Sequence, residues 1–257
     1  MRWDPSQYAR YADERGRPFA DLLARVRADA PRRVVDLGCG PGALTAGLVP
    51  RWPDATVEGV DSSEEMIAAA AALATDRLSF RLGDVADFAV PADADVVLSN
   101  ATLQWVPGHR GLLTRWAGEL PPGGWLAFQV PGNFGSPSHR LMRALAESPR
   151  WATVLGGVLR HDDAVAEPVE YAELLLAAGL EVDVWETTYV HVLQGTDPVL
   201  GWVRGTGLRP VLVALSDDEA AEFTATYAAE LRAAYPTGAS GTPFPFRRIF
   251  AVARRPG

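Results

Sequence analysis

Residues 36–42 read "DLGCGPG" and follow directly on the apolar pair Val34 and Val35. Three glycines at alternate positions after a short strand let a backbone pass close to something, without a Cβ in the way. Gly38, Gly40 and Ala43 also satisfy the spacing of a phosphate-cradling turn, so the spacing alone leaves the ligand open. Around this loop, a buried strand over 32–38 comes before it and an apolar helix from about 43 to 50 after it. "TVEGVD" (56–61) reads as a second strand. "SSEEMIAAAAAL" (62–73) then opens a helix, with Ser62 and Glu65 at capping-box spacing. "LSFRLGD" (78–84), "ADVVLSN" (94–100) and "WLAFQVP" (125–131) are further strands. A helix near 110–120 carries Leu112, Leu113, Trp116 and Leu120 on one face. This alternation implies right-handed crossovers and a parallel sheet covered on both faces, an α/β fold.

Later in the chain, "EPVEYAELLLAAGL" (167–180) is a helix stopped at Gly179. "EVDVWETTYVHVL" (181–193) is a long strand and 246–255 the last one. Two stretches, about 131–167 and 193–245, do not fit the sheet and read as insertions forming a small helical cap. The second holds a helix from Ser216, with Glu219 as its box partner and Phe223, Tyr227 and Leu231 as its stripe. The expected organisation is one domain over 1–257, with an N-terminal lid segment 1–30 and a cofactor-binding core 31–130.

The net charge of −8 argues against nucleic acid as the main partner, because a phosphate backbone calls for a basic surface. All 24 basic residues are arginine, so an anion site has to be argued from the position of each. The single cysteine, Cys39, excludes an internal disulfide and reads as a small filler of the glycine loop. The first eighteen residues lack an apolar core of signal-peptide length, and no membrane-spanning stretch is evident. A cytoplasmic protein without membrane attachment is expected. His109, His139 and His161 show no metal-ligand spacing, and no metal is expected.

Ligands of open α/β sheets sit outside the carboxyl ends of the strands. Those ends carry Asp36, Asp61, Asp84 (in "GDV") and Asn100. Asp61, about 20 residues beyond the loop, suits two ribose hydroxyls, which serves NAD and S-adenosylmethionine equally. Asp84 suits an exocyclic adenine amine. Asp36 is unfavourable beside a pyrophosphate but suits the ammonium of a methionine moiety. Pro41 lacks the N–H that a phosphate would need at a helix start. The sulfonium cofactor is favoured.

The order D-x-G-x-G-x-G, Asp61, "GD", "ADVVLSN", "PPGG" and "LLLAAGL" resembles the class I methyltransferases. The resemblance implies a Rossmann-like sheet, mostly parallel with its last strand antiparallel and helices on both faces. It also implies S-adenosylmethionine held by Asp36, Gly38, Gly40, Gly42, Asp61, Ser62, Met66, Asp84, Val85 and Asn100, with S-adenosylhomocysteine as product. The loop "NATLQW" lacks the prolines of amide and base N-methyltransferases, which favours a small-molecule acceptor. "WDPSQY" (3–8), "NATLQWVP" (100–107), "PSHRLMR" (137–143), "VDVWETTYVH" (182–191), "GWVRGTGLRP" (201–210) and "RRIFAVARR" (247–255) are similar to the trans-aconitate methyltransferase family. That similarity implies ester formation on a small tricarboxylic acid. The segment 150–168 carries the resemblance least.

A carboxylate acceptor is ionised at pH 7, so no general base is expected. The spectator carboxylates need local cations and donors, because the protein as a whole is acidic. Arg17, Arg209 and Arg248 are the candidate cations, with Arg15 beside Arg17 in the lid and Arg248 opening the last strand. Gln104, Trp105, Tyr189 and His191 are the candidate pocket residues, the last two sharing a strand face that points to the pocket if Val190 faces the core. Trp3 and Tyr8 are placed in the lid. Three other readings stay open: a methyltransferase for another small acid or a hydroxylated metabolite, an S-adenosylmethionine-binding protein without turnover, and a nicotinamide-dependent oxidoreductase. The sequence shows no oligomer interface.

Overall fold

The computed structural model describes residues 12–159 and 164–257, with side chains at the N-terminal end from Gly16 onward. Trp3, Tyr8, the Arg15 side chain and His161 lie outside the described residues.

The sheet has seven strands in the order β3-β2-β1-β4-β5-β7-β6. They are β1 Arg33–Leu37, β2 Thr56–Asp61, β3 Leu78–Leu82, β4 Val96–Asn100, β5 Trp125–Pro131, β6 Glu181–Leu193 and β7 Thr242–Arg254. The first five are parallel neighbours, and β7 runs antiparallel to β5 in a register that pairs Gln129 with Phe250 and Pro131 with Arg248. β1 and β4 read as continuous apolar runs because they lie in the middle of the sheet, and Val34, Val35, Val96, Val97 and Leu98 are all fully buried.

The chain divides into two compact units. The first comprises residues 1–131, 166–186 and 248–257, and the second 132–165 and 187–247. In the first, helix Ala12–Ala24 packs on β5, and helices His109–Glu119 and Pro168–Ala177 pack on each other. Tyr171 and His109 join these two helices through a 2.8 Å hydrogen bond in the core. Burial holds His109 below the ordinary histidine range, so the ring is neutral and structural. In the second unit, helix Asp217–Ala234 starts at the expected box, Ser216 with Glu219, and buries Phe223, Tyr227 and Leu231. It packs on helix Pro137–Ala146, where Ser138 donates its N–H to Tyr235 and accepts from the Tyr227 hydroxyl.

Several boundaries differ from the sequence reading. The helix expected over 43–50 is two short helices, Ala43–Ala46 and Leu48–Arg51, joined at Gly47. The next helix is capped by Ser63 in place of Ser62, because Asp61 accepts the Ser63 N–H and keeps that residue extended. β7 begins at Thr242, so Arg248 lies within the strand and does not open it. Gly179 does adopt the left-handed conformation expected after a helix end, with φ 81°.

Candidate functional site

All four predicted carboxyl-end positions, Asp36, Asp61, Asp84 and Asn100, belong to the first unit. Gly38, Gly40 and Gly42 all have positive φ, at 79°, 56° and 81°. The reasons differ. A Cβ on Gly38 would overlap the Thr102 side chain, and one on Gly42 would lie 2.6 Å from the Phe80 ring. Those two glycines admit protein neighbours. Among the described residues, a Cβ on Gly40 meets nothing within 4 Å, so of these three glycines it is the one with open space beside its backbone. The open side of the loop is at Gly40.

Asp61 ties down the loop at Gly40. One of its oxygens accepts the Gly40 N–H at 2.9 Å and the other accepts the Ser63 N–H at 2.9 Å. A carboxylate offers about four lone-pair directions, so both oxygens still have capacity for hydroxyl donors. Ser63 caps the Met66 N–H, and Met66 is buried. Ser62 is exposed beside the cap. Asp84 lies exposed two residues beyond β3 and caps a short turn through the Ala86 N–H, next to buried Val85.

Asp36 is more deeply placed than its sequence position reveals. It is 3% exposed and accepts a 2.6 Å hydrogen bond from the Thr45 hydroxyl. Burial raises its pKa to about 6, with the charge of Asp61 adding to the rise and Thr45 opposing it. The folded carboxyl therefore holds its proton more tightly than the unfolded one. The associated stability is complete below about pH 4 and is lost as pH rises through 6. At pH 7 an ionised Asp36 costs roughly 3 kcal/mol in the ligand-free protein. Asp36→Asn is expected to raise the melting temperature at pH 7 by several degrees and to leave it nearly unchanged at pH 4. Paired calorimetric scans check this, and equal shifts at both pH values would contradict it.

The loop after β4 turns sharply, with Ala101 at φ 55° although it is not glycine. Such a conformation persists only where its surroundings over-determine it, and it occurs preferentially at ligand sites. Here Ala101 donates its N–H to the Gln129 carbonyl and accepts from Gln104 Nε2 at 2.5 Å. Thr102 donates to the Asn100 carbonyl at 3.2 Å. Gln104 is consequently buried, with Trp105 half-buried next to it.

Arg248 is 6% exposed and donates from Nη1 to Gln129 Oε1 at 3.4 Å. Gln129 escaped the sequence reading because "WLAFQVP" scans as a core strand, although a lone amide in that apolar run was the available signal. Arg17 is exposed on helix Ala12–Ala24. The second unit holds Tyr189, His191 and Arg209. There Val190 is 58% exposed, so the expectation for that strand is inverted. β6 is the edge of the sheet and turns Val190 outward, while Tyr189 and His191 point inward, the His191 ring stacking on Trp202 at 4.8 Å. Arg209 is the first residue of helix Arg209–Ala214.

Among the described residues, no group of three His, Cys, Asp or Glu side chains is arranged to hold a metal. Among them, too, no helix is long and apolar enough to cross a membrane. A polar cleft of about 520 Å³ lies at the opposite, amino ends of β1 to β3, where Arg33 is already matched to Asp93 at 2.8 Å and to Glu58 at 3.5 Å.

A family profile described as a methyltransferase domain matches residues 34–124, the stretch from β1 to the turn before β5. The trans-aconitate 2-methyltransferase of Streptomyces avermitilis is 57% identical over 98% of this chain and 97% of its own. That of Mycolicibacterium gilvum is 58% identical, covering 98% of both chains. The chain belongs to the trans-aconitate 2-methyltransferase family. It is thus an enzyme of the methyltransferase class. The similarity runs through the insertions as well as the glycine-loop core, since the Mycobacterium tuberculosis relative, at 49% identity, also covers 98% of this chain. Solved structures show the same fold at low identity. A methyltransferase of Geobacter sulfurreducens, in complex with S-adenosylhomocysteine, superposes with a TM-score of 0.57 over 99% of this chain at 19% identity. The YcgJ protein of Bacillus subtilis gives 0.60 over 94% of this chain and 99% of its own, at 16% identity.

Proposed function

We propose that the chain methylates a carboxylate of trans-aconitate, with S-adenosylmethionine as donor, giving the monomethyl ester. The observation that carries this reading is the near-full-length identity, 57% in one case, to relatives bearing that activity in their name. The site fits the donor: Gly40 opens a backbone cradle, and carboxylates stand at the ends of β1, β2 and beyond β3. Asp36 supplies negative charge toward an ammonium, Asp61 accepts from ribose hydroxyls, and Asp84 with Val85 takes the adenine. Ser62, Met66 and Asn100 complete that set. Bound there, S-adenosylmethionine supplies a methyl group on a positively charged sulfur, open to displacement by a carboxylate oxygen.

The acceptor arrives ionised, so the chain needs no proton-abstracting residue. Its tasks are to anchor the acid, to align it and to exclude water. Alignment alone contributes up to about 7–11 kcal/mol in favourable cases. Attack of an anion on a sulfonium cancels charge, and a dry site favours that change. Arg248, buried beside Gln129, is the residue we assign to a carboxylate of the acid. Gln104 and Trp105, held by the strained turn at Ala101, form the wall beside the transferred methyl. Arg17, exposed on its helix, is the weakest of the anchors read from sequence.

The test is initial-rate transfer from labelled S-adenosylmethionine to trans-aconitate, cis-aconitate, citrate, isocitrate and monoacids. A kcat/KM for trans-aconitate at least tenfold above every other acid is expected. A higher value for another acid would keep the chemistry and move the substrate, and absence of transfer to all of them, with donor still bound, would overturn the reading.

A further inference from the structure

Gln129 is a costly residue where it stands. It is fully buried in β5, and its Nε2 has no hydrogen-bond partner among the described residues. Asn100, its register partner on β4, likewise leaves a buried Oδ1 without a partner. An amide flip does not relieve this. Arg248 is a donor only, so Gln129 must turn Oε1 toward it, which leaves Nε2 pointing away. A stranded buried donor is destabilising, and a methionine or leucine would fill the same core position without that cost.

The other half of the amide supplies the return. Its Oε1 receives Nη1 of a guanidinium that is itself withdrawn from water. Guanidinium grips a carboxylate through a planar fork, so the plane of the fork decides which carboxylate positions are accepted. We infer that Gln129 is a positioning residue for the acid, setting the plane of Arg248 and through it the discrimination among polycarboxylates. Its Nε2 is buried too deeply for direct contact with a ligand, and the effect passes through Arg248. The inference rests on Arg248 being a carboxylate anchor, as proposed above.

The experiment compares Gln129→Met, Gln129→Glu and Arg248→Met with the parent. For each, S-adenosylhomocysteine affinity, melting temperature, and kcat and KM for trans-aconitate and for a dicarboxylate lacking one of its carboxylates are measured. Gln129→Met is expected to melt no lower than the parent and to bind S-adenosylhomocysteine within about twofold. Its KM for trans-aconitate should rise about tenfold, with preference over the dicarboxylate reduced. Gln129→Glu keeps an acceptor for Arg248 but cancels its charge, so it should also lose acid affinity with S-adenosylhomocysteine binding retained; it carries the test if the methionine variant does not fold. Parent-like KM and preference in the folded Gln129 variant, alongside a defective Arg248→Met, would overturn the inference and leave Arg248 as anchor. Equal losses of melting temperature, S-adenosylhomocysteine affinity and acid affinity would reduce Gln129 to a structural residue and overturn it too. A parent-like Arg248→Met would remove the anchor itself.

Discussion

Alanine at Gly38 and alanine at Gly40 are expected to fail in different ways. At Gly38 the added methyl overlaps the Thr102 hydroxyl and lies 2.6 Å from its Cβ, on a backbone with φ 79°. The left-handed conformation costs an alanine about 1–2 kcal/mol, and crowding against a packed turn about 1–3 more. Thr102 cannot simply rotate away, because its Cβ is itself too close. Gly38→Ala should therefore lose roughly 2–5 kcal/mol of stability. Gly40→Ala carries only the conformational cost, since nothing among the described residues lies within 4 Å of its new methyl. Yet that methyl enters the space left open among the described residues, so donor affinity should fall at least tenfold while the melting temperature drops by only a few degrees. Thermal melts and S-adenosylhomocysteine titrations on both variants separate the two effects. Equal destabilisation with unchanged affinity at Gly40 would displace the cradle from that residue.

Arg248→Met is the second large effect. Truncating one member of a buried charged pair costs about 2–5 kcal/mol, which corresponds to roughly 30-fold to several thousandfold in acid affinity. Donor affinity should stay within about twofold, because Gly40 and Asp61 make their contacts independently of β7. A steady-state KM for trans-aconitate measured at saturating donor checks the magnitude. An unchanged KM would show that the carboxylates of the acid are held elsewhere.

The arrangement of strands was legible because hydrophobic period and turn residues agree along most of the chain. β5 and β6 have the predicted bounds, 125–131 and 181–193. β7 begins at Thr242, ahead of the expected 246, and takes in Pro243 and Pro245. Both fall on exposed positions that alternate with buried Thr242, Phe244 and Phe246, and they precede the ladder with β5, which starts at Arg248. Position along a strand located Asp36, but its burial depends on Thr45, nine residues away across the loop, and only folding brings the two together. The distinction among the three glycines was hidden for the same reason. Spacing shows where a Cβ is forbidden, whereas the neighbours that forbid it, Thr102 and Phe80, come from β4's loop and from β3. Tyr189 and His191 share a face as alternation requires, but which face points inward is set by what packs on it, as Trp202 does on His191.

The most direct measurement is the chemical identity of the product formed from trans-aconitate and labelled S-adenosylmethionine. A single product heavier by one methylene unit is expected, carrying an O-methyl signal in its proton spectrum and releasing all label as methanol under mild base. A labelled product that keeps its methyl group under mild base would contradict carboxyl O-methylation, whatever the rate at which it forms.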